Sequence, residues 1–430
     1  MSDFDRVFAS LASLTNYEKQ QPQSSYRFDL CNMERLCAAL DKPQCRLGEV
    51  TQIAGSKGKG TATHLLAWMG TMAGKRVAAY TSPHVRSVLE RVLWRGRPVQ
   101  EQSFAPHLER VVEAMLPGQT WFEVFTAAAL DFFATMEPDW TVLEVGLGGR
   151  LDSTTVVPKS LCAITTIELE HTQVLGPDLA SIAREKAGIL RPGVPCVTMT
   201  QGEALAIIEE RCQEMEAPLR VGARHFGFDL RARDENGIEA EFWSQGHPSR
   251  CLRLPLHAQA QAQAFALARE LLLQLDSAAE QELLGQEDHS WLRDALPPGR
   301  FHIVDSARPL VIDGAHTNAS LACLAGDLEA SFPERRFALV FGVASGKRWE
   351  QGLGRLLGLV DRAYAAPLVG KTSETSQSVR DLCQSHGVHC EIAPSITSAL
   401  DCAQAENPGG ALLVTGSLYA AGEALTSLGA

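Results

Sequence analysis

The sequence predicts an α/β protein built as two units on mostly parallel sheets, and three observations carry that prediction. Short apolar runs alternate with helical periodicity along most of the 430 residues, the pattern of strands joined by crossover helices. A glycine- and lysine-rich turn, Gly55-Ser56-Lys57-Gly58-Lys59-Gly60-Thr61, separates the first such strand from its helix. The alternation breaks at Pro297-Pro298-Gly299 and then begins again, which divides the chain into residues 1–296 and 297–430.

In order, Glu49 to Ala54 reads as an apolar strand, followed by the glycine-rich turn, a helix from about Thr61 to Met72, and a strand Arg76 to Tyr80. Strands are expected at Thr141 to Val145, Cys162 to Ile167 and Val194 to Met199, with helices at Glu123 to Met136 and Leu179 to Leu190 between them. From Leu219 to Leu256 the pattern becomes alternating polar and apolar around the turn Asp234-Glu235-Asn236-Gly237, which predicts antiparallel strands at the sheet edge. A helix rich in Ala, Gln and Leu, His257 to Leu275, closes a large P-loop mononucleotide-binding unit, and a polar stretch, Ser277 to Ser290, follows. Strands at Pro309 to Ile312, Phe337 to Val343, Ala363 to Pro367, His389 to Ile392 and Ala411 to Thr415, each followed by a helix, make a smaller Rossmann-like unit of five βα repeats. The crevice between two such units is a favoured place for a site that takes several substrates.

Composition narrows the function classes. The chain carries 39 Lys plus Arg against 51 Asp plus Glu, a formal net charge of -12, with 45% hydrophobic residues. Such a balance lacks the basic footprint of a nucleic-acid binder and is repelled by an anionic membrane surface. An anionic substrate therefore needs a local cluster of positive groups. Met1 to Arg6 has acids where a secretory signal would have bases, and no apolar stretch approaches the ~20 residues of a membrane helix. Eleven cysteines, an odd number with no C-x-x-C, predict a reducing, cytoplasmic setting. Cys383, His386, His389 and Cys390 match no standard zinc spacing and read as a helix stopped by Gly387 and followed by a strand.

The glycine-rich turn carries the sharpest chemistry. Glycines let the backbone approach phosphate oxygens, the amides at the helix start point at them, Lys59 reaches the terminal phosphates, and Thr61 can hold Mg²⁺. The match to a strict P-loop is incomplete, because Ile53 occupies the first glycine position. Glu144 lies in an otherwise apolar strand, and a buried carboxylate calls for a cation, most simply a metal. His171, in Glu168-Leu169-Glu170-His171-Thr172, is expected at the carboxyl end of the same parallel sheet, where ligands collect.

With these stand Tyr80-Thr81-Ser82-Pro83-His84, Phe122-Glu123-Val124-Phe125-Thr126, Glu144 to Asp152, Arg184-Glu185-Lys186-Ala187-Gly188-Ile189, Pro298-Gly299-Arg300, Asp313-Gly314-Ala315-His316-Thr317 and Thr415-Gly416-Ser417-Leu418-Tyr419. This ordered set, from about residue 30 to 425, resembles the folylpolyglutamate synthase/dihydrofolate synthase family of Mur-type ligases. The resemblance implies an ATP-dependent amide ligase that joins L-glutamate to a folate or dihydropteroate carboxylate through an acyl phosphate. It implies that Ser82, Glu144 and His171 are Mg²⁺ ligands, with Thr61 beside the nucleotide phosphates. Lys186 matches the lysine this family carries as a carbamate, a bidentate anion that holds a second Mg²⁺. Arg300 and Asp313 correspond to contacts with ATP phosphate and ribose, and His316 lies by the face that closes between the units. Ser82, Pro83, His84, Phe122, Glu123, Thr126 and Asp152 correspond to pterin-side contacts, and Gln263 stands near an Asn that usually touches the nucleotide.

Departures from the family pattern are few. Lys57 replaces a common Asn, Thr317 follows His316 where Asn is common, and Thr155 replaces the usual Asn after Asp152. Leu14 to Leu40 matches the folate-side region only loosely, so a ligase for a different pterin or an amino-acid acceptor stays open beside the folate reading. The expected partners are ATP, L-glutamate and the acceptor, without nucleic acid or membrane, in a monomer.

Overall fold

The computed structural model describes residues 2–16, 29–305 and 308–429. Its first sheet holds β1 (Glu49–Ala54), β2 (Val77–Tyr80), β3 (Val92–Trp94), β4 (Arg97–Pro98), β5 (Trp140–Glu144), β6 (Leu161–Ile164), β7 (Cys196–Thr198) and β8 (Leu219–Val221). The order is β4-β3-β2-β5-β1-β6-β7-β8. From β2 to β8 every pairing is parallel, and β3 and β4 add an antiparallel edge. The register decides the site: Ile53 of β1 pairs with Glu144 of β5 and Ala163 of β6, while Tyr80 of β2 pairs with Leu143. Four strands thus end level, and the segments after them emerge side by side.

The helices Lys59–Met72 and Gln259–Leu275 cover one face of this sheet and Trp121–Met136 the other. The first begins two residues earlier than the periodicity indicates, because Gly58, at φ +83°, takes the cap position. Conversely, β6 stops at Ile164 and leaves residues 165–171 as a loop and turn rather than a continuing strand.

The antiparallel strands are not at the sheet edge. β8 occupies that edge, and β9 (Phe226–Asp234), β10 (Gly237–Ser244) and β11 (His247–Leu254) form a separate sheet. Its apolar side, with Ile238, Ala240, Phe242 and Leu254, packs on the helix Gln259–Leu275; Phe242 and Phe265 have ring centroids 4.8 Å apart. An alternating strand needs an apolar partner for only one face, and a helix serves as well as a sheet. The polar stretch Ser277 to Ser290 also folds in part, as the helix Ser277–Leu284, in which buried Glu280 accepts from Arg269 Nε at 2.7 Å and Arg250 Nε at 3.0 Å.

The third sheet comprises β12 (His302–Ile303), β13 (Leu310–Ile312), β14 (Phe337–Phe341), β15 (Val360–Ala365), β16 (His389–Ile392) and β17 (Ala411–Thr415), in the order β12-β13-β17-β14-β15-β16. Five strands are parallel, as the repeats predict, and β12 is an antiparallel addition. Cys383 and Cys390 fall on a helix, Ser376–Ser385, and on β16, with Gly387 at φ +75° between them. No helix among the described residues is long and apolar enough to cross a membrane.

The two α/β units touch through polar and apolar contacts. Arg233 of β9 pairs with Asp327 of the helix Asn318–Ser331 at 2.6 Å, and both side chains are largely buried. Gln261 Nε2 donates to the Arg300 carbonyl at 2.9 Å, and Val85 packs into the apolar core on one face of the third sheet.

Candidate functional site

The site is assembled where β1, β2, β5 and β6 end. Gly55, at φ +140°, passes so close to β6 that a Cβ on it would lie 1.8 Å from Thr165 Oγ1, so only glycine fits. Lys59 Nζ donates to the carbonyls of Gly55 at 2.9 Å and Ser56 at 3.4 Å, which folds the lysine over its own loop. Lys57 and Gly58 are exposed, and Thr61 is buried in the first turn of the helix. A Cβ on Gly60 would stand 3.3 Å from Glu144 Oε2, so the helix start lies directly against that carboxylate.

Glu144 is 3% exposed. Thr81 Oγ1 and the Ser82 amide, the latter at 2.9 Å, both donate to its Oε2. Burial raises its pKa, against the pull of Lys59. Lys186, 2% exposed, donates through Nζ to the Gly55 carbonyl at 2.7 Å and to Glu170 Oε1 at 3.1 Å. Burial, helped by Lys59 and opposed by Glu170, lowers its pKa to about 8. Glu170 has a lowered pKa: burial works against ionisation, and Lys186 and Lys59 outweigh it. His171 is exposed at φ 48°, in the field of Glu170, Lys186, Lys59 and Lys347.

Beside the glycine loop a pocket is lined by Lys57, Gly58, Thr165, Thr166, Met199 and Gln263. The hydroxyls of Thr165 and Thr166 are buried without a hydrogen-bond partner in the protein. Buried polar atoms are normally satisfied, so these two hydroxyls stand out beside the pocket.

The second unit closes the crevice with Arg300, Asp313 and His316. A Cβ on Gly314 would lie 3.0 Å from Arg300 Nη1, so the guanidinium rests on the segment after β13. Asp313 accepts from the amides of Ala315 at 2.7 Å and Phe301 at 2.8 Å, and burial raises its pKa. His316 Nδ1 lies 2.8 Å from the Gly314 carbonyl; burial lowers its pKa, and Lys347, Lys57 and Arg300 act in the same direction.

The residues matched to pterin-side contacts separate into two groups. Ser82, His84 and Phe122 are half-buried and Pro83 is exposed, with Arg91 Nε donating to His84 Nδ1 at 2.9 Å and the Phe122 and Tyr80 ring centroids 6.0 Å apart. Glu123, Thr126 and Asp152 are instead buried and committed to local structure. Glu123 forms a capping box with Thr120, whose amide donates to it at 2.7 Å. Thr126 is fully buried, its Oγ1 3.1 Å from Tyr80 OH. Asp152 accepts from the amides of Gly146, Leu147 and Thr154 at 3.0, 3.1 and 3.0 Å and from the Thr154 hydroxyl at 2.6 Å, so it shapes its own loop. Thr155 Oγ1 donates to the Gly149 carbonyl at 2.7 Å and accepts from Gln52 Nε2 at 2.8 Å. Of Leu14 to Leu40, residues 17–28 lie outside the described residues, and the helix Cys31–Ala39 packs Met33 and Leu36 into the core beside Trp121–Met136.

Sequence reasoning missed Thr81, Thr165, Thr166, Glu170 and Lys347. Thr81 and Thr165 each directly follow a parallel strand at its carboxyl end, a signal that correctly placed strand ends would offer; Thr166, Glu170 and Lys347 carried none.

The oxygen-rich set of Glu144, Thr61 and Ser82 suits a hard divalent cation such as Mg²⁺, and both hydrogen bonds to Glu144 fall on Oε2.

Residues 299–418 match the family described as "Mur ligase, glutamate ligase domain". An Escherichia coli protein named dihydrofolate synthase/folylpolyglutamate synthase is 31% identical over 372 residues, spanning 86% of this chain and 84% of that protein. A Haloferax volcanii protein named "probable bifunctional folylpolyglutamate synthase/dihydropteroate synthase" is 33% identical over 411 residues, 92% of this chain and 48% of its own length. The chain thus spans about half the length of that relative and of its Halobacterium salinarum counterpart. Among solved structures, an E. coli FolC in complex with DHPP and ADP superposes with a TM-score of 0.82 at 28% identity, covering 98% of this chain and 97% of the other. A Mycobacterium tuberculosis folylpolyglutamate synthase complexed with ADP gives 0.83 at 25% identity, covering 100% and 98%.

Proposed function

From the premise that this chain belongs to the dihydrofolate synthase/folylpolyglutamate synthase family, we propose that it joins L-glutamate to a folate carboxylate at the expense of ATP, and accepts dihydropteroate as well. The observation that carries the reading is the convergence of the glycine loop, Glu144 and Lys186 on one sheet edge, faced by Arg300 from the linker to the second unit.

A carboxylate has no leaving group, so it must be activated before an amine can displace oxygen. An acceptor carboxylate oxygen attacks the γ-phosphorus of ATP, the bond to the bridging oxygen breaks, and ADP leaves. The glutamate amine then attacks the acyl carbon, the bond to the phosphate oxygen breaks, and inorganic phosphate leaves as one proton passes to solvent. The protein positions three anions and offsets their charge. In this reading the amides of Ser56 to Gly60 with Lys59 hold the β- and γ-phosphates, and Lys57 stands at their open side. Thr165, Thr166 and Gln263 take the base, Arg300 meets the phosphates, and Asp313 with His316 orients what approaches from the second unit. Ser82, Pro83, His84 and Phe122 line the acceptor side; Glu123, Thr126 and Asp152 support it from beneath.

Mg²⁺, when bound, would supply charge neutralisation on the phosphates, and Glu144, Thr61, Ser82 and His171 are the residues that would hold it. Lys186 suits carbamylation, because an amine whose pKa has fallen to about 8 is partly neutral near pH 7 to 8 and neutral amine takes up CO₂; the resulting anion would serve a second Mg²⁺. We further propose that the functional division lies near residue 296, and that the protein acts as a cytoplasmic monomer.

The test is an acceptor panel: purified protein with ATP, Mg²⁺ and L-glutamate, offered tetrahydrofolate, methylene-tetrahydrofolate or dihydropteroate, with phosphate release and product mass as readouts. The reading requires product one glutamyl unit heavier with at least one folate. No phosphate release with any of the three overturns it; turnover only with another pterin or an amino-acid acceptor replaces the substrate and keeps the chemistry.

A further inference from the structure

Gly422 lies inside a helix, Leu418–Leu428, and is buried. Glycine is a poor residue there, since it loses the most conformational freedom on folding and adds no packing. Its place is explained by what lies against it. A Cβ at position 422 would meet the carbonyl oxygen of Val85 at 2.2 Å and Val85 Cγ1 at 3.6 Å. Gly326, also inside a helix, has nothing within 4 Å of where its Cβ would be. The first glycine is thus required by a contact between units, and the second is not.

Val85 belongs to the segment that carries the Glu144 contacts. At one end, Thr81 Oγ1 and the Ser82 amide donate to Glu144 Oε2. Three residues on, the amides of Val85 and Arg86 donate to Glu90 Oε2 at 2.8 and 3.1 Å, and Arg86 Nε donates to Oε1 at 3.0 Å. Glu90 is itself buried. The segment is held to Glu144 at its start and to Glu90 at its end, and Val85, at that second anchor, presses on the second unit: it packs against that unit's apolar core, and a Cβ on Gly299 would touch Val85 Cγ1 at 3.7 Å. The same helix also bears on Arg300's support, since Leu418 Cδ2 would lie 2.4 Å from a Cβ on Gly314.

We infer that Gly422 and Val85 form a seat through which the second unit sets the position of the Thr81–Ser82 segment on Glu144, which makes Gly422 a positioning residue for the phosphate and cation side of the site. The inference rests on the ligase reading. A methyl group 2.2 Å from the Val85 oxygen displaces it, and because only Pro83 and His84 separate Val85 from Ser82, the shift reaches the residues that bond Glu144, where a misplacement of about 1 Å is costly. Gly422→Ala adds one methyl group against a backbone carbonyl that has no rotamer with which to escape.

The experiment measures binding of a non-hydrolysable ATP analogue by titration calorimetry at stepped Mg²⁺ concentrations, with melting temperature recorded for each protein. For Gly422→Ala the Mg²⁺ concentration that half-maximally tightens analogue binding rises roughly tenfold, while Mg²⁺-free binding at the glycine loop stays near wild type and the melting temperature falls, the protein remaining folded. Val85→Ala, which removes the packed side chain and leaves the carbonyl, shifts the Mg²⁺ dependence in the same direction by less. Gly326→Ala leaves it unchanged. Wild-type Mg²⁺ dependence in both Gly422→Ala and Val85→Ala overturns the inference, as does an unfolded Gly422→Ala protein beside an unaffected Val85→Ala protein, which would make the contact structural only. Wild-type protein that binds no nucleotide would instead overturn the ligase reading and the seat with it.

Discussion

The two parallel sheets present the same kind of edge and use it differently. At the carboxyl end of the first, ionisable groups are buried against one another: Glu144 with its pKa raised, Lys186 with its pKa lowered to about 8, and Lys59 acting on both. At the carboxyl end of the third sheet, polar groups are spent on their own turns. Asp313 accepts from Phe301 and Ala315, His316 Nδ1 faces the Gly314 carbonyl, and Ser417 Oγ accepts from the Ala420 amide at 2.9 Å. Burying charge costs free energy unless something compensates it, and turn anchoring needs no ligand. On the proposed ligase reading, the difference assigns the reaction groups to the first edge and the shaping of the crevice to the second.

The largest expected effect tests the first edge. Lys186→Met lowers turnover by roughly 100-fold or more, read as ADP release with glutamate and tetrahydrofolate, with a melting temperature equal to or above wild type because a desolvated amine is gone. A Lys186→Met protein of normal turnover would break the comparison.

Next comes acid stability at the junction of the units. His257 is stacked between Phe301 and Phe332, each at 5.9 Å, its Nδ1 has no partner, and burial lowers its pKa to about 4. Arg293, Arg233 and Arg253 also disfavour its charge, against Asp234. Between the unfolded value near 6.5 and the folded value near 4, the unfolded chain binds the extra proton, so stability falls as pH drops through that window, by about 3 kcal/mol at most from this group. Urea titrations at pH 7 and pH 4.5 should show the loss, and His257→Phe should reduce it. An equal slope in both proteins would place the acid sensitivity elsewhere.

A smaller effect belongs to the second edge. Asp313→Asn keeps one acceptor for the two amides, so stability falls by about 1 to 2 kcal/mol, and turnover falls by far less than in Lys186→Met. Comparable turnover losses would show that both edges carry reaction groups. The smallest is Gly326→Ala, a gain of up to about 1 kcal/mol in unfolding free energy from helix propensity alone, since no neighbour opposes the methyl group.

Much of this was legible along the chain. The glycine loop, Glu144 and Lys186 stand out because strand and helix periodicity brackets them and because a charge in an apolar strand is conspicuous. The roles of Glu123, Thr126 and Asp152 were not legible: a residue's place in a motif does not tell whether its oxygen atoms face a crevice or an amide three residues away. The strands β9 to β11 were foreseen, and their docking on a helix was not, since alternation marks an apolar face without naming its partner.

The sequence by itself determined the two α/β units, the parallel strands, the glycine-rich loop between the first strand and its helix, and the family, because these depend on local periodicity and on ordered short motifs. The tertiary structure alone decided which side chains share the site. Strands β1, β2, β5 and β6 are far apart in the chain, and only their register brings Gly55, Thr81, Glu144 and Thr165 to one height. Close approach between units decided the rest: Gly422 is an unremarkable glycine in a helical pattern until Val85 is placed 2.2 Å from its missing Cβ. Such contacts arise from packing across long sequence separations, where steric exclusion acts between residues that no local pattern pairs.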